Sequence, residues 1–221
     1  MKKFLVIGNP VQHSLSPKLH NYWFKKNNIN AVYDKKEINE KDIESIISEV
    51  RGKKINGINV TIPFKKIVVP FVDELSSEAN ESQSVNTIYL QNGKLIGHNT
   101  DISGFELSIK YSKYDVKNKI VFILGAGGVV PSIIIALKKM KTAKIIISNR
   151  SKNKAEELKN IFNELELIEW GETPNFDMII NATSIGLKNE DGIKLDYSQI
   201  EPNKFFYDVI YNPKETIFLK R

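Results

Sequence analysis

The sequence predicts an α/β protein of two consecutive domains, and three observations carry that prediction. Strand and helix patterns alternate from the amino terminus to Val60, an Asn-Gly hairpin follows them, and a continuous apolar run from Lys119 to Leu124 opens directly onto a glycine cluster. Alternation of this kind favours parallel βαβ units. A strand that is apolar on every residue is the kind buried on both faces of a sheet.

The elements follow in order. Phe4 to Ile7 is a short apolar run closed by Gly8-Asn9-Pro10, and it reads as a first strand. Ser16 before Pro17 is a cap followed by a first-turn proline, and Leu19, Tyr22 and Trp23 recur behind it at helical spacing. Ala31 to Ile38 offers a second strand. From Lys41 to Val50, Ile43, Ile46, Ile47 and Val50 fall at i, i+3, i+4 and i+7, with Asn39 as cap and Gly52 as stop. Ile55 to Val60 is the third strand. Ser84 to Leu90 and Lys94 to Gly97 flank Asn92-Gly93, a strong hairpin signal that adds an antiparallel pair. Asp101 to Tyr111 turns helical. After the buried strand at Lys119, a helix is expected over about Val129 to Met140, a strand at Lys144 to Ser148 and a capped helix from Ser151. Strands near Asp177 to Asn181 and Phe205 to Val209 and a helix start at Thr216 to Leu219 complete the set. The expected boundary divides residues 1–103 from 104–221.

Thirty-two basic against 26 acidic residues give a net charge of +6, but the lysines are scattered among Asn and Ile without a dense block. A solvated basic surface that favours anionic small molecules is therefore expected, and neither nucleic acid nor membrane is expected as a partner. No apolar run approaches the roughly 20 residues that cross a bilayer. The opening MKKFLVIGNP lacks a small-residue cleavage site and reads as a strand, so a cytoplasmic location is expected. There are no cysteines, which removes disulfides, thiolate chemistry and Cys-ligated zinc. His13, His20 and His98 show no metal-ligand spacing, so no metal is expected.

Gly125-Ala126-Gly127-Gly128 follows a buried strand and precedes a helix, the context in which glycine clusters bind dinucleotides. Glycine permits the tight turn and lets backbone amides approach a pyrophosphate at a helix amino end. Val130 stands where the usual third glycine would be. The next strand ends not in the carboxylate that holds an NAD ribose but in Asn149-Arg150-Ser151-Lys152. A guanidinium there suits a 2′-phosphate, so NADP is the expected cofactor.

In the first half, Gly8 to Pro17 (GNPVQHSLSP) places Ser14 and Ser16 after a strand, and Asn59 to Lys65 (NVTIPFK) follows another strand end. Ligands of open α/β sheets collect outside the carboxyl ends of strands. Together GNPxxHSxSP, NVTxPFK, VNT, GxNTD and GAGG, in that order, make the chain resemble the shikimate dehydrogenase family. The resemblance continues through Asn149-Arg150-Ser151, Asn181 to Leu187 and Tyr207 to Pro213. It implies an α/β substrate domain joined to a Rossmann dinucleotide-binding domain, with the site in the cleft between. It implies that Ser14, Ser16, Thr61, Asn86 and Tyr211 bind shikimate or 3-dehydroshikimate, and that Lys65 and Asp101 form the catalytic pair. NADP would lie on Gly125, Ala126, Gly127, Gly128 and Val129 and on Asn149, Arg150, Ser151, Lys152 and Lys154, with Thr183 and Val209 nearby. The implied reaction is reversible NADPH-dependent reduction of 3-dehydroshikimate, a step of aromatic amino-acid (chorismate) biosynthesis, by a monomer or homodimer. Family members normally continue past Thr216 to Leu219 into a terminal helix that packs on the first domain, and this sequence ends before it.

Rival readings are a quinate/shikimate dehydrogenase using NAD, disfavoured by Arg150, and a shortened, non-catalytic form that binds NADP or shikimate. An enzyme like methylene-tetrahydrofolate dehydrogenase shares the two-domain layout but leaves Ser14 and Ser16 unexplained.

Overall fold

In the computed structural model, which describes residues 1–187, 192–193 and 195–220, the chain forms two compact units, Met1–Ile102 and Ser103–Arg221. The first is built on β1 (Lys2–Gly8), α1 (Ser16–Lys26), β2 (Ala31–Glu37), α2 (Ile43–Arg51) and β3 (Gly57–Val60). These are followed by β4 (Glu74–Leu75), α3 (Ser77–Ser82), β5 (Thr87–Gln91) and β6 (Lys94–His98). Its six-stranded sheet runs β2-β1-β3-β5-β6-β4. β1 pairs in parallel with β2 and β3, and β5 turns antiparallel against both β3 and β6. The four apolar residues of α2 are all buried, packing with Ile7, Ile58, Val60, Ile88 and Leu95 on one face. Val6, Val11 and Tyr33 form a smaller cluster together with Phe4 and Phe24 of α1.

The helix α4 (Asp101–Tyr111) carries the chain into the second unit, which holds β7 (Ile120–Leu124), α5 (Val130–Lys139), β8 (Lys144–Ser148) and α6 (Lys152–Ile161). It continues with β9 (Glu166–Ile168), β10 (Met178–Asn181), β11 (Phe205–Asp208) and α7 (Ile217–Lys220). All pairs in the sheet β11-β10-β7-β8-β9 are parallel. The apolar run of β7 is buried from Val121 to Leu124, as a central strand covered on both faces must be. After β7 the chain winds outward through β8 and β9, then returns to the other side of β7 with β10. The switch in strand order therefore lies between β7 and β10, where doubly wound sheets take their ligands.

Several boundaries depart from the sequence expectation for physical reasons. Ser16 is the first helical residue of α1 and not its cap; the Ser14 hydroxyl accepts the Ser16 N–H at 3.3 Å. Asn39 caps not α2 but the 3-10 turn Glu40–Asp42 that runs into it, in a reciprocal box with the Asn39 N–H donating to Asp42 Oδ2 at 2.9 Å. The Ser151 side chain makes no capping bond to α6. β5 begins at Thr87, not Ser84, because the Val85 N–H is taken by the carbonyl of Lys65 at 2.8 Å. β4 and β9 are too short, and α3 too polar, for hydrophobic periodicity to announce them.

One ion pair fastens the edge of the first unit. Arg51, at the end of α2, donates two bonds of 2.9 Å to Asp73, whose Oδ2 also accepts the Leu95 N–H at 2.7 Å. The Arg51 bonds, then the Leu95 N–H, lower the Asp73 carboxyl to about 2. Its folded value lies below that of an unfolded aspartate, ~3.9, so its contribution is present above that pH and is lost as pH falls through about 2. Wild type should therefore be more stable than Asp73→Asn at neutral pH, and the margin should shrink as pH falls. Urea midpoints across an acid series check this, and a pH-independent difference would refute it.

Candidate active site

The first unit gathers its polar residues beyond the carboxyl ends of β1 and β3. The Thr61 N–H donates to the Ile7 carbonyl at 2.9 Å and the Asn9 N–H to the Ile62 carbonyl at 2.9 Å, so the two loops leave the sheet clasped together. Gly8 makes this possible, because a Cβ there would lie 2.5 Å from Thr61 Cγ2. Ser14 and Thr61 are half-buried on these loops, and Ser16 is half-buried in the first turn of α1.

Lys65 follows β3 by one turn. Its ammonium donates to Asp101 Oδ2 at 2.6 Å, with the two side chains only 12% and 19% exposed. A pair so shielded from water holds its geometry better than a surface pair. Asp101 is the first residue of α4, where a helix end favours a negative side chain. The Asn86 amide donates to Asp101 Oδ1 at 2.8 Å, leaving each carboxylate oxygen with its own donor. Behind it, the Asp101 N–H donates to Asn99 Oδ1 at 2.8 Å, and the buried Asn99 amide bonds Ser82 and the Ser84 carbonyl. Of the expected residues, Lys65, Asp101 and Asn86 are therefore in direct contact.

The second unit builds a cradle at its switch point. Gly125 has φ +116°, and a Cβ on it would lie 2.7 Å from the Ala182 carbonyl oxygen, so only glycine fits there. Gly127 differs: a Cβ there would meet one protein atom, at 3.9 Å, and its surroundings are open for a ligand's close approach. Val130, in place of a third glycine, is fully buried and packs the start of α5 inward. Beyond β8, the side chains of Arg150 and Lys154 make no ion pair among the described residues, while Lys152 faces Glu169 at 3.2 Å. A bare glycine turn at the start of a ten-residue helix, with Arg150 and Lys154 beyond the next strand, fits a phosphorylated dinucleotide. Thr183 lies beside Gly125, and its hydroxyl donates to Asn181 Oδ1 at 2.7 Å. The Val209 N–H donates to the Asn181 carbonyl at 3.1 Å. Tyr211 belongs to this second unit and is 58% exposed.

Residues 6–88 match the model of the shikimate dehydrogenase substrate-binding domain, and residues 107–189 match that of shikimate / quinate 5-dehydrogenase. A shikimate dehydrogenase (NADP(+)) of Pelagibacter ubique is 63% identical over 99% of this chain and 83% of that protein. The chain belongs to the shikimate dehydrogenase family. Among solved structures, shikimate dehydrogenase from Aquifex aeolicus superposes with a TM-score of 0.91 at 39% identity, covering 100% of this chain and 82% of that one. Shikimate 5-dehydrogenase from Thermus thermophilus, solved with NADP(H) and shikimate, gives 0.89 at 28% identity over 100% and 83%. The α/β class and the family expected from the motifs both hold.

Some residues that organise this member of the family escaped the sequence reading. Asp208 Oδ2 accepts the Thr216 hydroxyl at 2.6 Å and Oδ1 the Ile210 N–H at 2.9 Å, while the buried Asn181 amide spans both oxygens at 3.1 and 3.2 Å. The available signal was that Asn181 and Asp208 each lie at the end of an expected strand; that they face one another shows only once β10 and β11 are paired. Among the described residues no group of His, Asp or Glu side chains converges to hold a metal, and no helix is long and apolar enough to cross a membrane.

Gly125→Ala should destabilise the second unit by about 2 kcal/mol or more, since a positive-φ penalty of ~1–3 kcal/mol adds to the clash with Ala182. Gly127→Ala should leave stability nearly unchanged and weaken dinucleotide binding instead. Thermal midpoints and NADP titrations on both variants separate the two, and equal destabilisation would contradict the distinction.

Proposed function

We infer that the protein is a cytoplasmic NADP-dependent shikimate dehydrogenase that reversibly reduces 3-dehydroshikimate to shikimate, with Lys65 and Asp101 as its catalytic pair. The observation that carries the reading is the shielded 2.6 Å contact between Lys65 Nζ and Asp101 Oδ2, in the unit that matches the family's substrate-binding domain. Reduction of a ketone turns its oxygen into an alkoxide, and the protein must deliver a proton to that oxygen. NADPH, when bound, supplies the hydride. Lys65 gives up one of its three N–H protons to the forming alkoxide and, in the oxidative direction, takes the proton back as the neutral amine. Asp101 holds the ammonium in place and has lone pairs left to accept a hydrogen bond from a substrate hydroxyl. Ser14, Ser16, Thr61, Asn86 and Tyr211 bind the substrate's hydroxyls and carboxylate. Gly125 to Val129, Thr183 and Val209 would hold the pyrophosphate and nicotinamide, and Asn149, Arg150, Ser151, Lys152 and Lys154 would bind the 2′-phosphate.

Lys65→Ala should lower kcat for shikimate oxidation by about 100- to 10,000-fold, the usual range for a general acid–base group, with the protein still folded by thermal melting. Activity within a few-fold of wild type would end the assignment. Arg150→Ala should raise the KM for NADP by on the order of tenfold, as expected for a lost charge-assisted bond, and leave the KM for NAD unchanged. A matching loss with both cofactors would show that Arg150 does not read the 2′-phosphate.

A further inference from the structure

The Asn86 amide that faces Asp101 is the end of a longer series of hydrogen bonds. The Tyr33 hydroxyl is 2.6 Å from Asn59 Oδ1, and Asn59 Nδ2 lies 2.9 Å from Thr87 Oγ1 and 3.2 Å from the Asn86 carbonyl oxygen. Thr87 Oγ1 is in turn 2.9 Å from Asn86 Oδ1, and Asn86 Nδ2 is 2.8 Å from Asp101 Oδ1. Tyr33 is buried, Asn86 is 8% exposed, and Asn59 and Thr87 are half-buried.

The direction of every bond follows from groups that can only donate or only accept. The Asn86 carbonyl can only accept, so the nitrogen of the Asn59 amide must face it, and Asn59 Oδ1 must take the proton of Tyr33. Asn59 then donates to Thr87 Oγ1, which leaves the Thr87 proton for Asn86 Oδ1. The Thr100 N–H, which can only donate, meets the same Oδ1 at 3.1 Å. The amide nitrogen of Asn86 therefore points at a carboxylate that can only accept. All four bonds run one way, from the phenol to Asp101, and such chains polarise one another. The antiparallel register of β3 and β5 builds the middle of the series, since it pairs Asn59 with Thr87 directly.

We propose that Asn59 and Thr87 are positioning residues for the dehydrogenase reaction: they orient and polarise the Asn86 amide so that it holds Asp101 in place beside Lys65. The proposal rests on the reading of Lys65 and Asp101 as the catalytic pair. Neither Asn59 nor Thr87 touches the pair, and each acts through Asn86. Removing the Thr87 hydroxyl takes away one of the donors that fix the amide and leaves Asn59 Nδ2 short of an acceptor. The ion pair and the hydrophobic core stay as they are.

The test uses the full chain with Thr87→Val, which keeps the side-chain shape, Thr87→Ser, which keeps the hydroxyl, and Tyr33→Phe at the far end. Shikimate oxidation, KM for NADP and thermal midpoint are measured for each, with Lys65→Ala as reference. Thr87→Val should lower kcat by on the order of tenfold, as loss of a hydrogen bond within a polarised series implies, with KM for NADP within about twofold of wild type. Thr87→Ser should restore kcat to within about twofold, and Tyr33→Phe should lower it by about threefold, being two bonds more remote. If Thr87→Val cannot be isolated folded, Tyr33→Phe decides alone by the same criterion, a fall in kcat supporting the proposal and an unchanged kcat overturning it. Wild-type kcat in Thr87→Val, failure of Thr87→Ser to restore it, or a parallel rise in KM for NADP overturns the positioning role while Lys65→Ala stays inactive. An active Lys65→Ala would instead overturn the catalytic pair itself.

Discussion

The polar cluster of the first unit depends on one carboxylate. Asp101 receives the Lys65 ammonium on one oxygen and the Asn86 amide on the other, and its own backbone N–H is held by Asn99. Three segments distant in sequence, the turn after β3, the approach to β5 and the start of α4, therefore meet at one residue. Neutralising Asp101 would leave a shielded ammonium without its counter-charge, an arrangement that costs far more than the pair gains over free solvated ions. The geometry is set from behind, because the carbonyl of Lys65 accepts the Val85 N–H and the carbonyl of Asn86 accepts the Val60 N–H at 2.8 Å each. Backbone bonds thus fix where the ammonium and amide begin, and the side chains close the remaining distance.

The same economy appears in how the loops leave the sheet. β1 and β3 are parallel neighbours, so their carboxyl ends emerge side by side, and everything attached to those ends is brought together without a further element. Gly8 is the constraint on that approach, since Thr61 occupies the space of its missing Cβ. A larger residue at Gly8 would push Thr61, and with it the turn that carries Lys65, away from β1. The reversal to antiparallel at β5 has a different use, because it sets Asn59 and Thr87 opposite one another and links their hydroxyl and amide across the strands.

Much of this was legible in the sequence. The spacing of Ile43, Ile46, Ile47 and Val50 gives α2, the Asn-Gly dipeptide gives the β5–β6 hairpin, and the apolar run into Gly125 gives β7 and its turn. The order of motifs was enough to identify the family, although no single lysine or serine in them carried that weight. What was hidden has a common cause. β4 has two residues and β9 three, too few for any period to show, and α3 begins on a local bond from the Ala79 N–H to the Ser76 hydroxyl. The roles of Asn59 and Thr87 depend on strand register, which becomes known only when β3 and β5 are paired. The Lys152–Glu169 ion pair is hidden for the same reason, since it joins the start of α6 to the segment after β9 and shows only once the two are packed.

The two units solve the problem of fixing a polar loop with the same parts, and the difference between them separates structure from chemistry. In each, an asparagine amide sits between a threonine hydroxyl and a carboxylate: Thr87, Asn86 and Asp101 in the first, Thr183, Asn181 and Asp208 in the second. Asp208 spends its oxygens on Asn181, on the Ile210 N–H and on the buried Thr216 hydroxyl, all neutral donors within the protein, and among the described residues no cation faces it. It can hold the loops after β10 and β11 in place, but it has no mobile proton beside it. Asp101 has the Lys65 ammonium, whose three protons outnumber the single bond it makes to the carboxylate. A shielded cation with protons to spare, held by a carboxylate that neighbouring amides keep in register, is what proton delivery to an alkoxide requires. The same amide and carboxylate without that cation amount to a brace.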